Sequence, residues 1–353
     1  MPQNAHNGAL TSARVPWMWG YNADGRLGNQ TITSASSPVL VAGNHEFKQI
    51  SCGDRHSIGL KCDGSPYCWG ANGNGQLGDQ SPTGKSSPIL VVGNHSFIQV
   101  SAGNGRTFGL KADGTAFGWG ENGSGALGDL SITHRSSPVL VVGNHSFLEI
   151  RGGGLDHTIA RKADGSAWCW GANDVAAVGT TGQLGNNSEG DRSSPTLVVG
   201  AHSFIQVCVG ENHSAGLKDN GQCWTWGYNP DGRLGDNSIT NRSSPVLVVG
   251  GHSFVEISCG RLGTYGRKVD GSVWAWGMGL SGENGDNTIT DRSSPVLVVG
   301  NHSFIQISGA YSFASARKAD GSVWSWGSQL GAGSLGDWTL TNRSSPVAVV
   351  GTV

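Results

Sequence analysis

Residues Pro88 to Gly120 read P-I-L-V-V-G-N-H-S-F-I-Q-V-S-A-G-N-G-R-T-F-G-L-K-A-D-G-T-A-F-G-W-G. Four short runs of aliphatic, β-branched and aromatic residues alternate here with turn formers. Ile89 to Val92 ends at Gly93-Asn94, Phe97 to Ser101 at Gly103, Thr107 to Lys111 at Asp113-Gly114, and Thr115 to Trp119 at Gly120. Runs of this length between such punctuators predict strands, and four in succession predict a four-stranded antiparallel meander. The Asp-Gly pair predicts a two-residue hairpin turn with positive φ at both central positions. It recurs at Asp63-Gly64, Asp164-Gly165, Asp270-Gly271 and Asp320-Gly321, with Asn220-Gly221 as a variant.

The unit repeats along the whole chain. Trp-Gly falls at Trp19, Trp69, Trp119, Trp170, Trp226, Trp276 and Trp326, at intervals of 50, 50, 51, 56, 50 and 50 residues. The proline of Ser-Ser-Pro keeps step at Pro38, Pro88, Pro138, Pro195, Pro245, Pro295 and Pro346. A fixed period of this size marks units that bury a hydrophobic face only against a neighbour. An aromatic residue stands two positions before each tryptophan, from Trp17 and Tyr67 to Trp324. Spacing of two on a strand puts both rings on one face, and this stripe is read as cement between sheets. One domain over residues 1–353 is expected.

Composition narrows the function. Glycine supplies 58 of 353 residues and charged side chains only 14%, with 23 basic against 25 acidic residues. Without a long run of either sign, an electrostatic grip on nucleic acid or an anionic membrane is not expected. The start, Met1 to Leu10, lacks a basic segment followed by an apolar one, and no apolar stretch reaches 18 residues, so neither a secretory signal nor membrane insertion is expected. The seven cysteines, Cys52, Cys62, Cys68, Cys169, Cys208, Cys223 and Cys259, form no C-x-x-C pair and are read as small buried apolar residues. A cytoplasmic or virion-associated setting is the expectation.

W-G-x-N-x-x-G-Q-L-G at Trp69 to Gly78, S-C-G-D-R-H-S-I-G-L-K at Ser51 to Lys61 and the D-G-x-x-x-x-W-G strand form a specific combination. It resembles the repeats of the regulator of chromosome condensation family, of a kind also carried by bacterial and viral proteins of unassigned role. The resemblance covers nearly the whole chain and implies an all-β, seven-bladed β-propeller of four-stranded antiparallel blades. Departures occur in the long loops. Gly279 replaces the loop asparagine and Asn284 the leucine in the sixth, the seventh has one extra residue before Leu335-Gly336, and the fourth is six residues longer.

The seventh blade has to be assembled from the ends. His6 to Leu10 aligns with His56 to Leu60 and Trp17-Met18-Trp19 with Tyr67-Cys68-Trp69, while Pro346 to Val350 offers a third strand. The counterpart of Phe97 to Ser101 is missing. A three-stranded blade closed by N- and C-terminal strands is therefore expected, which removes free sheet edges.

In a repeat protein, uniform positions serve the scaffold and variable ones on an exposed face serve binding. Alternating strand direction puts the Gly-Asn-His and Asp-Gly turns at one end of the ring. The long loops and the turns after Ser-x-Gly fall at the other. The second end varies, and its candidate partner-binding residues are Arg55, Arg106, Asp156, Glu211, Arg261 and Tyr311, with Val175 and Val178 in the longer fourth loop. His45, His95, His145, His202, His252 and His302 are read as turn residues that hydrogen-bond locally, since ring symmetry sets them a blade apart with no carboxylate or cysteine at ligand spacing. The lysines two residues before each turn acid, Lys61 to Lys318, are read as solvated or locally paired.

G-x-G-x-x-G at Gly73, Gly123, Gly277 and Gly331 leads into strands, whereas phosphate binding needs a following helix N-terminus. No nucleophile elbow, Walker loop or H-E-x-x-H is present. The expectation is a non-enzymatic protein-binding or assembly module without cofactor or metal, able to join an oligomer or larger particle. Two other readings come from resemblance. The family's best-known activity is nucleotide-exchange stimulation of a small GTPase with chromatin attachment, which uses an acidic wedge and a basic tail that this sequence does not display. A propeller-type β-lactamase inhibitor is similar in fold, which suggests inhibition of a secreted enzyme.

Overall fold

The computed structural model describes residues 6–154, 156–175, 179–329 and 333–351. Seven antiparallel sheets follow one another along the chain as blades of a ring. Blade 1 is His6–Leu10, Pro16–Gly20 and Ala35–Leu40; blade 2 is Gln49–Cys52, His56–Leu60, Pro66–Gly70 and Lys85–Leu90. Blades 3 to 7 repeat the second, opening at Gln99, Phe147, Gln206, Glu256 and Phe304 and ending at Leu140, Leu197, Leu247, Leu297 and Ala348.

The phase of the repeat differs from the sequence reading. The run Ile89 to Val92 does not open the unit that contains Trp119. Lys85–Leu90 pairs with Pro66–Gly70 as the outermost strand of blade 2. Val91 and Val92 then leave the sheet, their amides donating to Pro66 O at 3.1 Å and Gly78 O at 3.0 Å. Each polar long loop is thus internal to one blade, and Gly-Asn-His connects one blade to the next. The innermost strand is also shorter than expected, Gln99–Ala102 in blade 3.

The Asp-Gly turn differs as well. Gly64 has φ of 88° and no positive φ occurs at Asp63, while Gly64 N donates to Lys61 O and Lys61 N to Ser65 O, both at 3.0 Å. This is the longer hairpin, a type I turn followed by a left-handed glycine. Aspartate serves it by another route, because Asp63 Oδ1 accepts the Ser65 amide at 2.8 Å.

The tryptophan stripe does cement blade to blade. Trp119 of blade 3 is fully buried among Ile58, Leu60, Cys68, Leu77 and Val91 of blade 2, and Trp226 of blade 5 among Ile159, Cys169, Leu184 and Val198 of blade 4. Phe97 and Phe204 stack on these rings at 6.0 Å. Trp69 and Trp226 also donate Nε1–H to the preceding long loop, at Arg26 O (2.8 Å) and Gln183 O (3.0 Å).

Blade 1 has three strands among the described residues, as the terminal alignment suggests, but its third strand is Ala35–Leu40. Arg343–Ala348 completes blade 7 instead of crossing to blade 1. The ring closes by packing of whole blades. Trp19 Nε1 donates to Ser334 O at 3.1 Å and Trp338 N to Ser36 O at 3.3 Å, repeating the contacts made elsewhere by Trp69 and Gln30.

The cysteines are not all alike. Cys208 and Cys259 form a disulfide between blades 5 and 6, and Cys62 is exposed, whereas Cys68, Cys169 and Cys223 are buried. The pairing escaped notice because it joins consecutive blades across 51 residues, at slots one residue out of phase.

Candidate partner-binding rim

A buried asparagine organises each long loop. Asn72 Oδ1 accepts the Leu77 amide at 2.9 Å, and its Nδ2 donates to Asp79 Oδ1, Ser81 O and Thr83 O at 2.7–3.3 Å. One planar amide thus ties a loop whose backbone groups would otherwise lack partners. The two irregular loops find substitutes. Gln329 takes the role in blade 7, accepting from Leu335 N at 3.0 Å and donating to Asp337 at 2.7 Å. In blade 6 the amide arrives from the opposite side, Asn284 Nδ2 donating to Gly277 O and Thr290 O at 3.1 Å. A Cβ at Gly279 would lie 2.6 Å from that amide, so the paired departures Gly279 and Asn284 form one compensated change.

The short turns border a central cavity of about 550 Å³ lined by the inner strands, and the long loops lie at the same end of the ring, where Asp24 meets Arg55. The candidate residues meet across blade boundaries. Arg55 of blade 2, its side chain 57% exposed, pairs with Asp24 of blade 1 at 2.8 Å. Arg106 and Asp156 pair across blades 3 and 4. Glu211 accepts from Arg261 Nε at 2.6 Å across blades 5 and 6, and the Arg261 guanidinium lies 4.2 Å over the ring of Tyr311 in blade 7.

Arg106 is wholly buried and Glu211 is 6% exposed, and both tie neighbouring blades together. Val175 lies in a short ribbon, Asp174–Val175 paired with Gly179–Thr180, and Val178 lies outside the described residues.

Asp54 was not singled out from the sequence, yet it sits at the cavity mouth with both carboxylate oxygens buried and no hydrogen-bond partner among the described residues. Burial raises its carboxyl above the usual range, against the pull of Arg26, Arg55 and Arg261. The long loops add apolar side chains that sequence reasoning also passed over. Ile32, Leu130, Ile132, Ile239, Ile289 and Trp338 are each 66–68% exposed. Their signal was present, since an aliphatic recurs in the Ser/Asn-rich loop of most units.

The histidines fall into two sets. His45 and its repeats make no side-chain hydrogen bond among the described residues. They stack within the blade, at 5.4 Å from Phe47 and 4.7 Å from Tyr67 in blade 2. Lys61 Nζ lies 4.6 Å over the same Tyr67, and the other repeat lysines are placed likewise. The second set, His6, His56, His157 and His213, lies fully or almost fully buried between blades. Nε2 of each faces a hydroxyl of the next blade: Ser57 (2.6 Å), Thr107 (2.8 Å), Ser214 (3.0 Å) and Thr264 (2.9 Å). Each hydroxyl donates its proton onward to a long-loop carbonyl, Arg26, Gln76, Gln183 or Arg233 O. The hydroxyl must therefore accept from the histidine, which assigns the Nε2–H tautomer. No group of histidine, cysteine or carboxylate side chains that could hold a metal occurs among the described residues. None of their helices could cross a membrane.

A closed ring of seven such sheets, with its irregular loops collected on one face, defines the β-propeller class. The chain belongs to the RCC1-like domain family, whose pattern matches residues 4–298. Protein pim1 of Schizosaccharomyces pombe is 34% identical over 85 residues, and the Regulator of chromosome condensation of Xenopus laevis 33% over 75. Each match covers 21% of this chain and spans only 16% of the relative. In structure the chain is similar to yeast RCC1 (Prp20) bound to Kap60, with a TM-score of 0.83 and 17% identity over 99% of this chain and 84% of the other. It is also similar to human WBSCR16, with a TM-score of 0.83 and 18% identity over 98% and 94%.

Proposed function

We propose that the chain is a non-enzymatic protein-binding module whose long-loop face receives the partner. The observation that carries this reading is that the end of the ring whose mouth bears Arg55, Asp156, Arg261 and Tyr311 also carries the exposed apolar side chains of the long loops. Apolar side chains projecting beside fixed charged and aromatic groups suit a protein surface. A net charge of −2 gives no comparable grip on a nucleic-acid backbone.

The yeast structures support a protein-binding reading for a chain of this fold. Prp20 is seen bound to Kap60, and its binding to Gsp1p and histones is described. Exchange stimulation of a small GTPase is the second reading, supported by that similarity alone.

Affinity capture with the wild-type chain and with Arg55→Glu/Tyr311→Ala/Trp338→Ser tests the proposal. Proteins retained by the wild type are expected to fall at least about tenfold with the triple variant, the scale of losing a few central contacts. They should be unchanged by Val269→Glu, which alters an exposed side chain at the opposite end. Equal capture by the triple variant would refute the rim, and accelerated nucleotide release from a captured GTPase would establish the second reading.

A further inference from the structure

Neighbouring inner strands are clasped to one another around the cavity by side chains. The hydroxyl oxygens of Ser51, Ser101 and Ser258 accept the amides of Ala102, Gly152 and Gly309 in the next blade, at 2.8–3.1 Å. Two residues earlier, the Gln49 and Gln206 carboxamides clasp the backbone of Val100 and Ile257 in the same direction. Cys208 holds the serine slot in blade 5 and reaches blade 6 through its disulfide with Cys259. Blade 4 departs from the pattern. Its residue at that slot is Arg151, which clasps nothing in blade 5 among the described residues.

The residues of this slot, Ser51, Ser101, Arg151, Cys208, Ser258 and Ser308, all line the cavity, and Arg151 is the one long side chain of the set. Its side chain is 39% exposed. Structural pairing does not require it. Glu149 is already met by Arg161 Nε at 3.4 Å, and Arg151 Nη2 is a second cation at 3.0 Å, whereas Glu256 in the same slot of blade 6 is met by Arg267 alone at 2.7 Å. Arg151 therefore adds a positive charge to the wall at the cost of one clasp. In a repeat protein, a departure of this kind on a lining surface marks a place of binding.

The donors at this level converge on an anion. Arg151 turns Nε and Nη2 toward Glu149 Oε1, and its Nη1 meets no protein group among the described residues. Each clasping serine uses its oxygen as an acceptor, and none donates to a protein group among the described residues. With the oxygen fixed by the incoming amide, the O–H is left to donate into the cavity. Ser101 Oγ, 3.1 Å from Gly152 N, stands beside the backbone of Arg151 itself. Hydroxyl donors on several walls around one guanidinium suit a group whose oxygens face several directions, a phosphoryl group more than a planar carboxylate. The cavity volume of about 550 Å³ lies within the range of small-molecule sites, about 300–1,000 Å³.

We propose that the central cavity binds a phosphate group, free or carried by a small molecule, with Arg151 as its anchor and the Ser101 hydroxyl as a second donor. Glu149 holds the guanidinium in place from one edge and leaves the other to the ligand. Ser51 and Ser258 offer their protons to the remaining oxygens or to the body of the molecule. The site lies inside the ring and does not depend on the protein-binding face.

Calorimetric titration of the full chain with inorganic phosphate, at an ionic strength held constant with sodium chloride, tests this. Saturable binding of one ion per chain is expected. Arg151→Gln should weaken it at least about tenfold, the order of losing a hydrogen-bonded contact to a charged group, and Arg151→Lys, which keeps the charge, should recover part of the loss. Glu149 retains Arg161 in both variants, so the fold is kept, which unchanged near-ultraviolet dichroism of the tryptophans verifies. Arg192→Gln, the same change on the outer strand of that blade, should bind as the wild type does. Glycerol 3-phosphate separates the sources: tighter binding than inorganic phosphate assigns an esterified ligand, and weaker binding the free ion. No saturation with either at millimolar concentration, or equal binding by Arg151→Gln, would overturn the proposal. Acetate bound as tightly as phosphate would do so too, since two oxygens would then serve as well as a phosphoryl group.

Discussion

Lowering the pH from 7 to 4.5 is expected to unfold the ring cooperatively, before most carboxylates have titrated. Burial drives the change: it holds His56 and His157 down to about 3 and His6 and His213 well below the ordinary value, with nearby arginines adding to the shift. Nδ1 of all four is buried with no partner among the described residues, so a proton there would be an uncompensated charge.

In the unfolded chain the same imidazoles titrate near 6.5. Their folded values are depressed, so the stability they contribute is complete above about pH 6.5 and is lost as pH falls toward 3. Each contributes a slope approaching 1.4 kcal/mol per pH unit, and four together roughly 5. That rivals the 5–15 kcal/mol holding a typical domain. The turn histidines, lowered by partial burial and then by the adjacent lysines, push in the same direction. Urea unfolding at pH 7, 6 and 5 measures the slope, and a loss below about 1 kcal/mol per unit would contradict the burial of these imidazoles in neutral form.

Trp226→Ala is expected to cost about 3–5 kcal/mol, the usual range for emptying a large aromatic site. Trp226 fills the interface between blades 4 and 5, stacks on Phe204 and donates to Gln183 O, so the truncation leaves a cavity and removes one of the two donors to that carbonyl, the Ser214 hydroxyl keeping the other. The backbone cannot collapse inward easily, because Gly185 already lies against the indole with φ of 63°. Trp338→Ala is the internal contrast: that ring is 67% exposed and its loss should move stability by less than about 0.5 kcal/mol. Denaturant midpoints of the two variants decide the matter, and similar midpoints would mean the tryptophan stripe is not the cement.

The strands and their number were legible because Trp-Gly and Ser-Ser-Pro keep a common period and both lie in the sheets. The phase was not, since Ile89 to Val92 is one aliphatic run that the fold divides between an outer strand and the crossover. Asp63-Gly64 was recognisable as a turn, but its type depends on which of several hairpin hydrogen bonds forms, and both types accept the same dipeptide. At the rim the charged positions could be read, but not their pairing. Arg261 meets Glu211 because one period of 50 residues brings the same slot of adjacent blades together, and Arg106 meets Asp156 one residue out of phase, since blades 3 and 4 are 51 residues apart. The role of His56 and His157 was hidden for a similar reason, as nothing local says that the next blade's hydroxyl covers them.

Because no strand is exchanged between the two ends among the described residues, the joint between Trp19 and Ser334 is held by side-by-side packing and a few hydrogen bonds. Traction on the termini therefore loads that joint as a peel, and the toroid should come apart one leaf at a time, starting from either free flank. A staple between the leaves that carry Cys208 and Cys259 would halt the tear partway round.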